Sequence, residues 1–173
     1  AICGGRIDKI YQPSTQDVVL AVRGNTGNVR VLLSANPSHP RLHLTALERE
    51  NPEKPPMFCM LLRKHLTGAR ILDLDQPYME RLVTIRLEAT NELGDKVSRS
   101  LVLEAMGRKA NLILLDGEGR IIDCIRRVEG DITTGSRQVL PGLFYRLPEP
   151  RFGVPPLLER ELRFRGEEGN LTE

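Results

Sequence analysis

The sequence predicts a mainly antiparallel β domain: a meander built into a sandwich or a strongly bent sheet, interrupted by one helix. Three observations carry this. Short segments rich in β-branched residues recur along the chain. Clusters of Gly, Asn and Asp separate them at fairly regular intervals. A single stretch is bracketed by Pro before and Gly after, as a helix is. With 173 residues, 40% hydrophobic and 28% charged, the chain is long enough and apolar enough to bury one main core.

In chain order, Arg6 to Tyr11 and Asp17 to Arg23 read as strands, with Pro13-Ser14 turning between them. Gly24-Asn25-Thr26-Gly27 supplies the positive-φ residues of a hairpin leading into Val29 to Ser34. Arg41 to Thr45 is a further short strand. Pro55-Pro56 sets up a helix start, where a missing N–H costs nothing. Met57, Phe58, Met60, Leu61 and Leu62 follow, and Gly68 is the left-handed stop. Arg63, Lys64 and His65 occupy its last turns, where the helix dipole favours cations. Asn91 to Asp95 joins two long strands, Arg81 to Thr90 and Lys96 to Ala105, and Asp116 to Gly119 joins Asn111 to Leu115 with Arg120 to Arg126. Beyond Arg137, Leu140-Pro141-Gly142 and Leu147 to Pro150 read as an extended linker. From Pro156 a helical period returns. The expected organisation is therefore a domain over 1–150 and a fragment of a second over 151–173.

The longest central apolar run, Met57 to Leu62, is far too short to span a bilayer. The chain opens on Ala1-Ile2-Cys3-Gly4-Gly5 without Met or a charged-then-apolar leader. That reading expects an upstream segment to be lost and finds no visible targeting peptide. Three widely spaced cysteines, Cys3, Cys59 and Cys124, form no CxxC, which argues against a disulfide scaffold or structural zinc and for a reducing, cytoplasmic setting. Net charge is only +2, yet between Arg30 and Arg70 seven Arg or Lys face three Glu. Such a local excess is what a phosphate-facing surface needs, although a solvated face would look the same.

Signals for chemistry are weak. His39 and His43 would share a face of an extended segment, but no third ligand has matching spacing and no metal is expected. Asp73 and Asp75 share a strand face without an acid partner. Ser34 and Ser38 near His39 lack the GxSxG elbow, and Gly4-Gly5 and Gly24/Gly27 do not form a phosphate loop. Neither an enzyme nor a cofactor is expected. Three Tyr, four Phe and no Trp disfavour an aromatic base-stacking platform. Arg81 is in phase with the apolar face Val83, Ile85, Leu87 and Ala89, and its guanidinium must find an acceptor. It is equally a structurally tethered Arg or a ligand-reading one with Glu80 alongside.

Several blocks resemble the NFACT amino-terminal domain: Gly5 to Pro13, Leu33 to Arg41, Pro55 to Leu66, Asn91 to Asp95, and Glu104 to Leu114. The resemblance covers Gly4 to Tyr145, in order. Its bacterial members are ribosome quality-control factors of the RqcH type, also known as fibronectin-binding proteins. It implies an α+β fold, mainly an antiparallel β-sandwich with flanking helices, similar to the amino-terminal domain of formamidopyrimidine-DNA glycosylase. The catalytic amino-terminal proline of those glycosylases has no counterpart, so base excision is not implied. It further implies binding to an obstructed large ribosomal subunit and to tRNA, alanyl-tRNA in bacteria, in support of untemplated tailing. The family's Asp-Arg pair for tRNA falls on Glu80-Arg81, with Glu in place of Asp. Arg41, Arg63, Lys64, Arg108 and Lys109 are the candidate nucleic-acid surface. The family's first helix, expected before Gly4, is absent from the sequence, as are helices expected between Pro150 and Arg151. Phe152 to Leu162 resembles its helix-hairpin-helix part. An extracellular fibronectin-binding adhesin is the alternative, and a DNA-processing enzyme on the same fold is a third reading.

Overall fold

The computed structural model describes residues 2–24, 27–38, 40–45, 51–76, 82–105, 109–130 and 137–146. The expected boundary near Pro150 and everything after it lie outside these. The elements in order are β1 (Arg6–Tyr11), β2 (Asp17–Gly24), β3 (Gly27–Ser34), β4 (Arg41–Thr45), α1 (Met57–Leu66), β5 (Arg70–Asp75), β6 (Leu82–Thr90), β7 (Lys96–Glu104), β8 (Asn111–Leu115) and β9 (Ile121–Cys124). Expected strands and the helix match these to within two residues at each end. β5 was not among them, although Asp73 and Asp75 were placed on a strand face. Among the described residues, no helix is long and apolar enough to cross a membrane.

The nine strands of the described residues join one antiparallel sheet, in the order β4-β3-β2-β1-β5-β6-β7-β8-β9. Of the two expected forms, a sandwich or a strongly bent sheet, the structure has one continuous sheet, with α1 as the helix among the described residues. The reason is connectivity. Consecutive hairpins pair each strand with its neighbour, and β1 closes the centre onto β5, where Gly4 N–H donates to Ile71 O (2.7 Å) and Gly68 N–H to Ile7 O (2.7 Å). Nothing breaks the hydrogen-bonding into two sheets. Bulges between Ile7 and Lys9 in β1 and between Ile71 and Asp73 in β5 add twist and bend the strands. The sheet consequently curls until its two flanks share a core. Val18, Leu20, Val31 and Leu33 lie in one buried cluster with Leu101, Leu103, Leu112 and Leu114.

Helix α1 fills the concave side. Phe58, Cys59, Leu62 and Leu66 are buried, and positions spaced by one, four and eight fall on one helical stripe. The outer face of β6 to β9 has its own cluster, with Leu82, Val102, Ile113, Leu115, Ile121 and Cys124 covered by Val139, Val128 and Tyr145. Residues 137–146 therefore act as a strap across that face.

Candidate functional site

Strand register decides which candidate residues are neighbours. Asp17 pairs with Ser34, and Ser34 with Arg41; across the sheet, Leu82 pairs with Glu104 and Glu104 with Asn111. Arg41, Gln76, Leu82, Ala105 and Asn111 thus share one end of the curled sheet. The opposite end carries the hairpin tips Asn91–Asp95 and Asp116–Gly119 and the close of α1. Lys109 is exposed at the first end. Lys64 belongs to the second, where its ammonium lies 3.7 Å from Glu92.

The curl opens a cleft of about 610 Å³ at the first end. Pro40, Arg41 and Leu42 of the β4 flank face Leu74, Asp75 and Gln76, with Val83, Leu103 and Ala105 behind. Its walls are mostly apolar, and Arg41 brings a cation. Arg41 Nε–H donates to His43 Nε2 at 3.2 Å, and His43 Nδ1 lies 2.8 Å from Leu44 O, which engages both ring nitrogens. The cleft could not have been found by spacing, because its two walls are more than thirty residues apart in the chain.

Glu80, Arg81, Arg108 and His39 lie outside the described residues. Arg63 is placed, and part of its guanidinium faces inward: Nε–H donates to Ile10 O at 2.9 Å, which ties α1 to β1. Asp73 and Asp75 do not form an acid–base pair. Arg86 on β6 donates to Asp73 at 2.9 Å and to Asp75 at 3.4 Å, and these hydrogen bonds raise its pKa further. All three side chains are about half exposed, so the triad is a solvated surface network of small energetic weight. His65 has its pKa lowered by burial first, then by Arg99 and Lys64.

A second polar constellation escaped the sequence reading. Glu104 at the end of β7 is 1% exposed and receives a two-pronged grip from Arg137. Nη1 donates to Oε1 at 3.2 Å and Nη2 to Oε2, while Tyr145 Oη–H donates to Oε2 at 2.5 Å. The guanidinium also sits 5.3 Å from the Tyr145 ring centre. Burial, then the Glu104 charge, pushes the Tyr145 phenol upward. A buried Glu between polar strand ends was the available signal, but its partner lies 33 residues downstream. Beside it, Asn111 accepts from Arg126 N–H (3.0 Å) and donates to Arg126 O (2.8 Å). This clasp holds the strap against the strand ends that flank the cleft.

Comparison with known proteins gives a consistent answer. Residues 1–168 match the model of the NFACT N-terminal and middle domains. The Rqc2 homolog RqcH of Bacillus subtilis is 44% identical over 157 residues, 90% of this chain and 27% of that protein. The mouse ribosome quality control complex subunit NEMF is 25% identical over 162 residues, 92% of this chain and 14% of that protein. Among solved structures, the N-terminal domain of the fibronectin-binding protein PavA from Streptococcus pneumoniae superposes with a TM-score of 0.82 at 37% identity. That match covers 94% of this chain and 62% of that one. The chain spans about a quarter of the bacterial relative and less of the mouse one.

Proposed function

The chain belongs to the NFACT family, and from that premise we propose that it is the RNA-facing, non-enzymatic binding domain of a cytoplasmic ribosome quality-control factor. In this reading it engages tRNA and the large ribosomal subunit carrying an obstructed nascent chain, and supports untemplated alanine tailing by the whole protein. The observation that carries the proposal is the match over residues 1–168 together with relatives named for ribosome quality control. The geometry supports it: Arg41 and Lys109 belong to one end of the sheet, the end that also carries Gln76 and Leu82. Arg81 precedes by two residues Val83, which lines the cleft. Cations gathered at one end release counterions from phosphates and position an RNA backbone. The kinship of the fold with the glycosylase amino-terminal domain is part of the same proposal and is supported by the curled antiparallel sheet.

Recovery of tRNA with wild-type and Arg81→Ala full-length protein tests the role given to Arg81; it should fall several-fold in the variant. Equal recovery removes Arg81 from the site. Co-sedimentation of the full-length protein with large subunits carrying tRNA tests the wider reading, and its absence overturns it. A second reading, an extracellular fibronectin-binding adhesin, is favoured by the name of the PavA neighbour. Cell fractionation separates the two, since an adhesin must appear outside the cell.

A further inference from the structure

Although the scarcity of aromatics argues against an extended stacking platform, we propose a second RNA contact at the opposite end of the domain: a single-base stacking site made by Phe144 with Arg120. It rests on the RNA-facing reading above but uses none of its residues. Phe144 is 56% exposed, unusual for a ring that the chain could otherwise have buried. The Arg120 guanidinium lies 4.8 Å from the ring centre, close enough for a cation–π stack. The exposure is imposed by the backbone. Arg120 and Phe144 form an antiparallel bridge; Ile121 N–H donates to Leu143 O, Gly142 N–H to Ile121 O and Tyr145 N–H to Gly119 O, each at 2.8 Å. These bonds follow a tight turn at Gly142, whose φ is 91°, and leave Leu143 as well as Phe144 on the outside. The next residue, Tyr145, turns inward to Glu104, while Phe144 faces solvent. Arg137 Nε–H holds the next carbonyl, Arg146 O, at 2.8 Å.

The ring is therefore held at both ends before any ligand arrives, so stacking a base on it costs little ordering entropy. Every base has a π face, and an aromatic backed by a guanidinium binds unpaired nucleotides with little sequence preference. The charge around the ring is mixed: Arg120 and Arg146 are exposed, as is Glu118, while Asp116 accepts from Glu118 N–H (2.8 Å) and Arg120 N–H (2.9 Å), so the contact rests on the ring and its guanidinium and not on a basic patch. The partner is an unpaired RNA base, in a loop or strand end; a duplex, whose bases are stacked inside, cannot use the site.

The test compares Phe144→Leu and Phe144→Tyr with wild type, all as the full 173-residue chain with melting temperatures checked. Each binds a fluorescent 12-nucleotide single-stranded RNA of mixed sequence, and the same sequence annealed to its complement. Phe144→Leu should weaken single-strand binding about tenfold, leave duplex binding and the salt dependence unchanged, and Phe144→Tyr should restore affinity. Unchanged single-strand binding by Phe144→Leu, or an equal loss on duplex, overturns the stacking site alone. Failure of the wild type to bind either RNA overturns the RNA-facing reading with it. Intact RNA binding combined with lost fibronectin binding in Phe144→Leu assigns the ring to a protein partner and overturns the proposal.

Discussion

Replacing Glu104 by Ala should be among the most damaging single changes in this domain. The Glu104 side chain is 2% exposed and that of Arg137 20%, so both charges are largely out of water and neither is solvated without the other. Removing the carboxylate leaves the guanidinium without its two-pronged acceptor and the Tyr145 hydroxyl without its 2.5 Å one. Breaking one side of a buried ion pair costs about 3–5 kcal/mol, against a total stability of about 5–15 kcal/mol. Arg137→Ala, which leaves the buried carboxylate without its cation, should cost a similar amount. Replacing both residues by Met removes both charges at once and should be far milder than the sum of the single losses. Urea unfolding followed by circular dichroism, with the four proteins arranged as a double-mutant cycle, measures this. A loss under about 1 kcal/mol in Glu104→Ala, or strict additivity in the double variant, refutes the reasoning.

Gly5→Ala should destabilise by about 1–3 kcal/mol, because a Cβ there meets Val22 Cγ1 at 2.7 Å and Ile2 O at 3.1 Å; thermal melts of the variant against wild type check it. His65, with a folded pKa lowered by burial, contributes stability that is present above its unfolded value and lost as pH falls through the folded one. The melting temperature should therefore drop on acidification below about pH 6.5, and His65→Gln should flatten that part of the profile. Iodoacetamide at pH 8 should add one label per native chain, on exposed Cys3. Cys59 and Cys124, both buried and with thiols pushed up by burial, Cys124 to about 11, should react only after unfolding; intact mass spectrometry distinguishes one adduct from three.

Strands bounded by sharp turns were legible because their signals are local. Gly94 and Gly119 adopt φ of 86° and 88°, and the apolar alternation between them is carried by adjacent residues. Helix α1 announced itself by Pro56 and Gly68 in the same way. β5 was harder to read, since its bulge between Ile71 and Asp73 puts the alternation out of phase within a six-residue strand. The family blocks were legible as well.

By itself, then, the sequence determined the antiparallel β class, the helix, the order of the hairpins and the family. The tertiary structure alone decided that β1 pairs with β5, so that the strands form one curled sheet instead of two stacked ones. It alone brought Arg41 across from Leu74 to Gln76, closed Arg137 onto Glu104, and turned Phe144 outward. The physical reason is range. Turn and strand preferences are set within a few residues, whereas these contacts join segments tens of residues apart, whose closure is decided by the burial of the shared core.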